Sequence, residues 1–240
     1  MNFLCISNFN NDLDWVKDFP NPHIIYDKTW NGGYRIEEHD TFGPSNNKTK
    51  YPNYNIVNSD LLGYSLRDHM TFIVDHYDNL PDVTVFCKGN VFPRHVTREK
   101  FEQLVDLKCF APIEEWQVHN PPSMPGAMFS CDGGWMEINS SWYLNHYLHP
   151  TKYFTNYNHF LAYCFEDPVF PQYTRFAPGG CYVVPKSYIL KYDKIFYENI
   201  RTLVSHHKLS GESHMIERAL FTIWMCNWKV SDNMKNLIAQ

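Results

Sequence analysis

The chain has few of the signatures that mark common enzyme classes. There is no G-x-G-x-x-G, no G-x-x-x-x-G-K-[ST] and no G-x-S-x-G. Their absence argues against a Rossmann dinucleotide site, a P-loop NTPase and an α/β-hydrolase. Twelve histidines include no H-E-x-x-H. His206 and His207 are adjacent and would diverge on a helix, while Asp75, His76 and Asp78 share one helical stretch without a clear third ligand. No two of the seven cysteines stand at C-x-x-C spacing, so a structural zinc site is disfavoured. Their odd, scattered placement reads as reduced thiols of a cytoplasmic protein, not a disulfide frame. No apolar run approaches the length of a membrane span. Residues 1–10 lack a basic start and a long apolar core, which reads as no secretory leader. Positive charge is not in excess: the formal net charge is −5. That excludes a global basic field for nucleic acid or an acidic membrane, although a local basic groove stays open.

Aromatic residues are what the chain does have, at 17% of 240 residues. Rings stack on sugars and bases, and asparagine amides bond hydroxyls. A Tyr-rich surface from compositional bias accounts for the same figure. The length suits one domain spanning 1–240, with ample material for a core.

Hydrophobic periodicity orders the chain as α/β. FLCIS (residues 3–7) and HIIYDK (23–28) read as strands, with a short helix in DLDWVKDF between them. Residues 29–54 read as loop. Leu62, Leu66, Met70, Ile73 and Tyr77 recur at steps of three or four, predicting a helix over 60–80 that Pro81 ends. DVTVFC follows as a buried strand, completing a strand–helix–strand alternation. A helix capped by Thr97 is expected over 97–108. Residues 112–150 read as irregular with a short strand at AMFS, and 151–165 as a helix. A loop over 168–178, a strand at CYVVP, and helices over 186–205 and 212–228 complete the pattern.

The last helix carries the best lead to chemistry. On a 3.6-residue wheel Ile216, Ala219, Leu220 and Ile223 form the core stripe, and Glu217 lies beside it with Phe221 and Trp224, one turn after His214. A carboxylate held among rings can serve as a general base. The bland alternative is a rim glutamate paired to Arg218 or to a lysine. Glu212 opens the same helix, where the macrodipole favours a carboxylate for purely structural reasons; a part in acceptor binding is the alternative.

Ligands of open α/β sheets gather at the carboxyl ends of strands. Asn8, Asn10 and Asp12 follow the first strand, and Tyr26, Asp27 and Lys28 end the second. The third ends in CKGN, with Lys88, Gly89 and Asn90. A metal-held nucleotide diphosphate would call for an Asp-x-Asp pair there; a lysine stands instead, either as a point charge for phosphate or as an ordinary surface residue. In SCDGGWMEINSSWY, Asp132, Trp135, Glu137 and Asn139 surround a Gly-Gly turn. That set suits a sugar ring, and equally a loop anchored to the core by its tryptophans.

Three stretches together resemble a domain-of-unknown-function family of glycosyltransferase-like proteins found in fungi, bacteria and large viruses. GYSLRDHMTFIVDHYDNLPDVTVFCKGN is similar to that family's helix-plus-strand block, with Arg67, Asp68 and the 77–82 turn at its marked positions. ISNFNNDLDWV is similar to the opening strand and turn. GGCYVVPKSYI with MIERALFTIW is similar to the closing strand and helix. The closing block also resembles the branching N-acetylglucosaminyltransferase and xylosyltransferase type, whose catalytic-base glutamate aligns with Glu217. Ile216 and Arg218 differ from that group's flanking residues.

The resemblance implies a GT-A-like mixed sheet flanked by helices, with an irregular acceptor-side insertion at about 110–178. It implies an inverting, metal-independent glycosyltransferase, with a nucleotide-sugar as co-substrate and no other cofactor. Glu217 would be the base. Arg67, Lys88 and Arg175 would face the leaving diphosphate, with Asn8, Asn10, Asp27 and Asn90 around the nucleotide. Asp132, Trp135, Glu137, Glu212 and His214 would hold sugar or acceptor, the latter a glycan or a modified nucleobase. A non-catalytic sugar- or nucleotide-binding relative of the same fold is the other reading, and a metal-dependent hydrolase using the Asp and His of the 60–80 helix a third.

Overall fold

Alternating side chains sort each strand between two apolar layers. In the computed structural model, which describes residues 1–28, 47–119, 126–140 and 149–238, strand β1 (Phe3–Phe9) sends Leu4 and Ile6 to one layer and Cys5 to the other. Strand β2 (His23–Lys28), helix α1 (Asn47–Lys50), strand β3 (Ile56–Asn58), helix α2 (Tyr64–His76) and strand β4 (Val83–Lys88) follow. Then come α3 (Val91–Arg94), α4 (Arg98–Leu104), β5 (Ala111–Pro112) and α5 (Trp116–His119). The remaining elements are β6 (Ala127–Phe129), β7 (Trp135–Ile138), α6 (Tyr157–Cys164), β8 (Tyr173–Arg175), β9 (Tyr182–Pro185), α7 (Lys186–Ile189), α8 (Lys194–Val204) and α9 (Gly211–Met225).

The main sheet runs β3-β2-β1-β4-β9-β5, and β6-β7-β8 form a separate small sheet. Pairing is parallel from β3 to β4 and antiparallel at β9. The layer against α2, α6, α8 and α9 includes Phe86, Tyr182 and Trp224; the opposite layer includes Val85, Cys87, Phe101 and Val183. The fold is therefore mixed α/β, with a mostly parallel sheet flanked by helices. Among the described residues no helix is long and apolar enough to cross a membrane.

Several expectations hold: Thr97 caps α4 by accepting from the Lys100 N–H at 3.2 Å, AMFS contains β6, and the α9 stripe Ile216, Ala219, Leu220 and Ile223 is buried. Others need correction. Residues 168–178 are not all loop, because β8 pairs there with β7 and completes the small sheet. The helix expected over 186–205 is two helices, since Asp193 adopts an extended conformation between α7 and α8. Trp224, expected on the stripe beside the core, belongs to the core itself: it is fully buried, stacked on Phe86 at 6.0 Å and edge-on to Tyr182 at 5.2 Å. Of the loop expected over 29–54, 29–46 lies outside the described residues.

On α2, His69 is wholly buried beside Phe86, 5.1 Å away. Burial pulls its imidazole pKa from 6.5 down to about 3. Between those values the unfolded chain binds a proton that the folded one refuses. Stability from this group is thus full above about pH 6.5 and declines as pH falls toward 3. Denaturant unfolding should show a loss of about 2 kcal/mol between pH 7 and pH 5. That part of the slope should vanish in His69→Leu; an undiminished slope would assign the proton to another group.

Candidate functional site at the carboxyl edge of the sheet

The chain leaves β1 toward β2 and β3 on one side and returns to β4 on the other. Beyond the carboxyl ends of β1 and β4, at such a reversal, lies the usual ligand position in open α/β sheets. Asn8 and Asp27 meet there, fully or nearly fully buried. The Asn8 amide donates to Asp27 Oδ1 at 2.8 Å, and Asn47 adds bonds of 3.1 and 3.2 Å to the same carboxylate. The Asn8 side-chain oxygen is buried and meets no hydrogen-bond partner among the described residues. It lies so close to Gly89 that a Cβ there would stand 2.0 Å away, which restricts position 89 to glycine. Asn10, just beyond β1, is exposed with φ of 53°, and Asn90 is the residue preceding α3.

Behind this edge Lys28 and Asp68 form a buried pair at 3.1 Å. Ser7 and Ser59 each donate to Asp68 at 2.5 Å, and Lys28 also donates to the Tyr64 carbonyl at 2.7 Å. Burial pushes the Asp68 pKa up, against the pull of Lys28 and the two hydroxyls. This cluster is satisfied internally and joins β1, β2 and α2.

Glu217 reaches the edge from α9. Its Oε1 accepts the Gly179 N–H at 2.6 Å and its Oε2 accepts from Arg218 Nη1 at 3.2 Å, leaving the side chain 16% exposed. Gly179 has φ of +83°, and a Cβ there would lie 2.9 Å from His95 Nε2 and 3.1 Å from Lys88 Cδ. Lys88, His95 and Glu217 therefore converge on one turn. Burial draws the Lys88 ammonium pKa down while the Glu217 charge opposes the shift, and Arg94 acts on it as a neighbouring cation. Neither Lys88 nor the exposed Arg94 makes an ion pair among the described residues. Arg94 and His95 were not among the expected site residues, although they follow CKGN within five residues at the same strand end.

The other two expected cations are engaged elsewhere. Arg67 pairs with Asp60 at 2.7 Å and donates to Ser205 at 3.1 Å, toward α8. Arg175 is clasped by Glu114 and by Asp132 at 3.0 Å. The short Asp132 contact with Ser130 and the Arg175 guanidinium hold the Asp132 carboxyl down at about 2.

Trp135 and Glu137 are buried on β7 and do not present a sugar-binding face. Glu137 receives Arg218 through Nη2 at 2.6 Å and Nε at 2.9 Å, and the Trp135 indole N–H at 3.3 Å. Glu212 is likewise a structural pin: it accepts the Lys152 and Tyr153 N–H groups at 2.7 Å each and faces His206 at 2.7 Å. A carboxylate so enclosed has no room for an acceptor. His214 instead joins a ring cluster, 4.4 Å from His149 and 5.3 Å from Tyr64, one turn before Glu217.

One Asp-x-Asp spacing does occur, in Asp12-Leu13-Asp14 beyond β1. Both carboxylates are exposed; Lys50 pairs with Asp12 at 2.8 Å, and the Tyr51 hydroxyl lies 3.0 and 2.8 Å from Asp12 and Asp14. Among the described residues no group of three or more His, Cys, Asp or Glu side chains is arranged to hold a metal ion. Comparison of the chain with protein-family models, curated proteins and solved structures gave no match.

Arg218 is 3% exposed and sits over the Phe176 ring at 4.7 Å. Removing one member of a buried pair strands the other charge at a cost of about 3–5 kcal/mol. Arg218→Met should destabilise the protein by that amount in denaturant titration, and adding Glu137→Leu should restore most of the loss. Equal instability of the double variant would mean the two charges are not coupled.

Proposed function

We propose that the protein is a glycosyltransferase with a GT-A-like sheet, moving a sugar from a nucleotide-sugar donor to an acceptor hydroxyl. The observation that carries the reading is the convergence of Glu217, the Gly179 N–H and Lys88 at the carboxyl end of β4. Glu217 takes the acceptor proton as the acceptor oxygen bonds to the anomeric carbon. The bond from that carbon to the diphosphate oxygen breaks, and the departing negative charge is met by Lys88 with Arg94. Arg67 and Arg175 are not assigned this task, because each is neutralised by neighbouring carboxylates. Asn8 and Asp27 form the base of the nucleoside side, tied to each other by the 2.8 Å bond from the Asn8 amide to the Asp27 carboxylate. Inversion follows from a single displacement with one base.

One observation favours the non-catalytic alternative, a binding protein of the same architecture: both oxygens of Glu217 are already hydrogen-bonded. Turnover of a panel of nucleotide sugars, read as nucleotide release, separates the two. Glu217→Gln should fold normally and lose roughly 10²–10⁴-fold in transfer, and Lys88→Met should also lose turnover while keeping the fold. Full activity in Glu217→Gln would remove the base. Donor binding without any nucleotide release would establish the binding-protein reading.

A further inference from the structure

A concavity lies away from the carboxyl ends of β1 and β4. Its volume is about 510 Å³, and it is walled by α4, β5 and the 132–133 turn. Neither Lys88 nor Glu217 lines it. Its size falls in the range of small-molecule clefts. Three features define what it would hold.

The first is charge. Glu99, Glu114, Glu115 and Asp132 line the space against Lys100 and Arg175, four carboxylates to two cations. Arg175 is already clasped by Glu114 and Asp132, which leaves Lys100 alone as a cation to meet a phosphate against an acidic majority. A nucleotide diphosphate is disfavoured here, and an uncharged ligand is not.

The second is an aromatic surface. Trp116 lines the cavity and is 44% exposed, unlike Trp135, which is buried. Gly133 stands against the indole: a Cβ there would come within 3.3 Å of Trp116 Cδ1. A half-exposed indole beside polar side chains presents an apolar platform with hydrogen-bonding groups around it, the pairing that a pyranose ring requires.

The third is preorganisation. Glu115 is fixed by the Thr97 N–H at 2.6 Å, and Glu114 by the Trp135 N–H at 2.9 Å. Their acceptor groups are therefore set before any ligand arrives. Gln103 adds an exposed amide from α4. The cavity is also tied to the candidate site. Arg175, on its wall, lies over the Phe221 ring at 5.4 Å, and Phe221 is one turn beyond Glu217 on α9.

We infer that this cavity binds a neutral oligosaccharide, with Trp116 as the stacking platform and Gln103, Glu99 and Glu115 as hydroxyl partners. Naming it an acceptor subsite rests on the transferase reading; the binding itself does not. The expected site of sugar recognition thereby moves from Trp135 and Glu137 to Trp116, with Asp132 retained on the rim as the partner of Arg175.

Isothermal titration calorimetry with xylohexaose, cellohexaose, mannohexaose and chitohexaose, without any donor, tests the inference. At least one should bind saturably. Trp116→Ala should weaken that binding about tenfold or more, and Gln103→Ala should weaken it several-fold, with circular dichroism unchanged. UDP alone should not compete. No binding by any of the four, binding unaffected by both variants, or competition by UDP would overturn the assignment. Donor turnover to water, measured separately on wild type and Trp116→Ala, reports on the transferase reading. A protein that binds oligosaccharide without turning over a donor keeps this site and loses that reading; the reverse result does the opposite.

Discussion

A buried guanidinium has to be matched, and in this protein the matching of Arg218 holds the site together. Two nitrogens of its fork close on Glu137 of β7, while the third reaches Glu217 on its own helix. The small sheet is thereby tied to α9, and the orientation of Glu217 depends on a neighbour anchored to β7. Such a pair contributes little net stability against an apolar replacement. Its contribution here is directional. The Gly179 N–H supplies the other restraint, and the left-handed backbone at that glycine is what aims the N–H at the carboxylate.

Charge is partitioned rather than pooled around the carboxyl edge. Lys28 is absorbed by Asp68 inside the protein, Arg67 by Asp60 at the α8 side, and Arg175 by Glu114 and Asp132. Among the described residues Lys88 and Arg94 make no ion pair. A net charge of −5 hides this local surplus, because ligand recognition depends on which cations lack a counter-charge, not on the total. The acidic cavity near Trp116 shows the opposite balance. The two regions are therefore suited to ligands of different charge, although they are bridged by Arg175 and Phe221.

Local periodicity made much of the architecture legible. The core stripe of α9, the strand at 83–88 and the Thr97 cap depend on neighbours in sequence, and each appears where the pattern puts it. Side-chain destinations were harder to read. Trp135 and Trp116 look equally available as residue types, yet β7 turns the first inward, while the second stands half-exposed. Glu137, Glu212 and Glu217 are also alike on paper. What separates them is the partner each meets: Arg218 lies 81 residues from Glu137, and the Lys152 N–H lies 60 residues from Glu212. No local rule encodes those meetings. The pairing of Glu217 with Arg218, adjacent in sequence, was the one such contact that could be anticipated.

The antiparallel strand β9 has a consequence for the nascent chain. Val85 of β4 finds its outer neighbour only in Val183 of β9, so during synthesis at roughly 5–20 residues per second the free edge of β4 waits on the order of 5–20 s for its cover. That edge belongs to an apolar strand, VTVFCK, with exposed backbone donors and acceptors on the ribosome. Until Tyr182–Pro185 emerges, that edge offers a template on which another chain could pair.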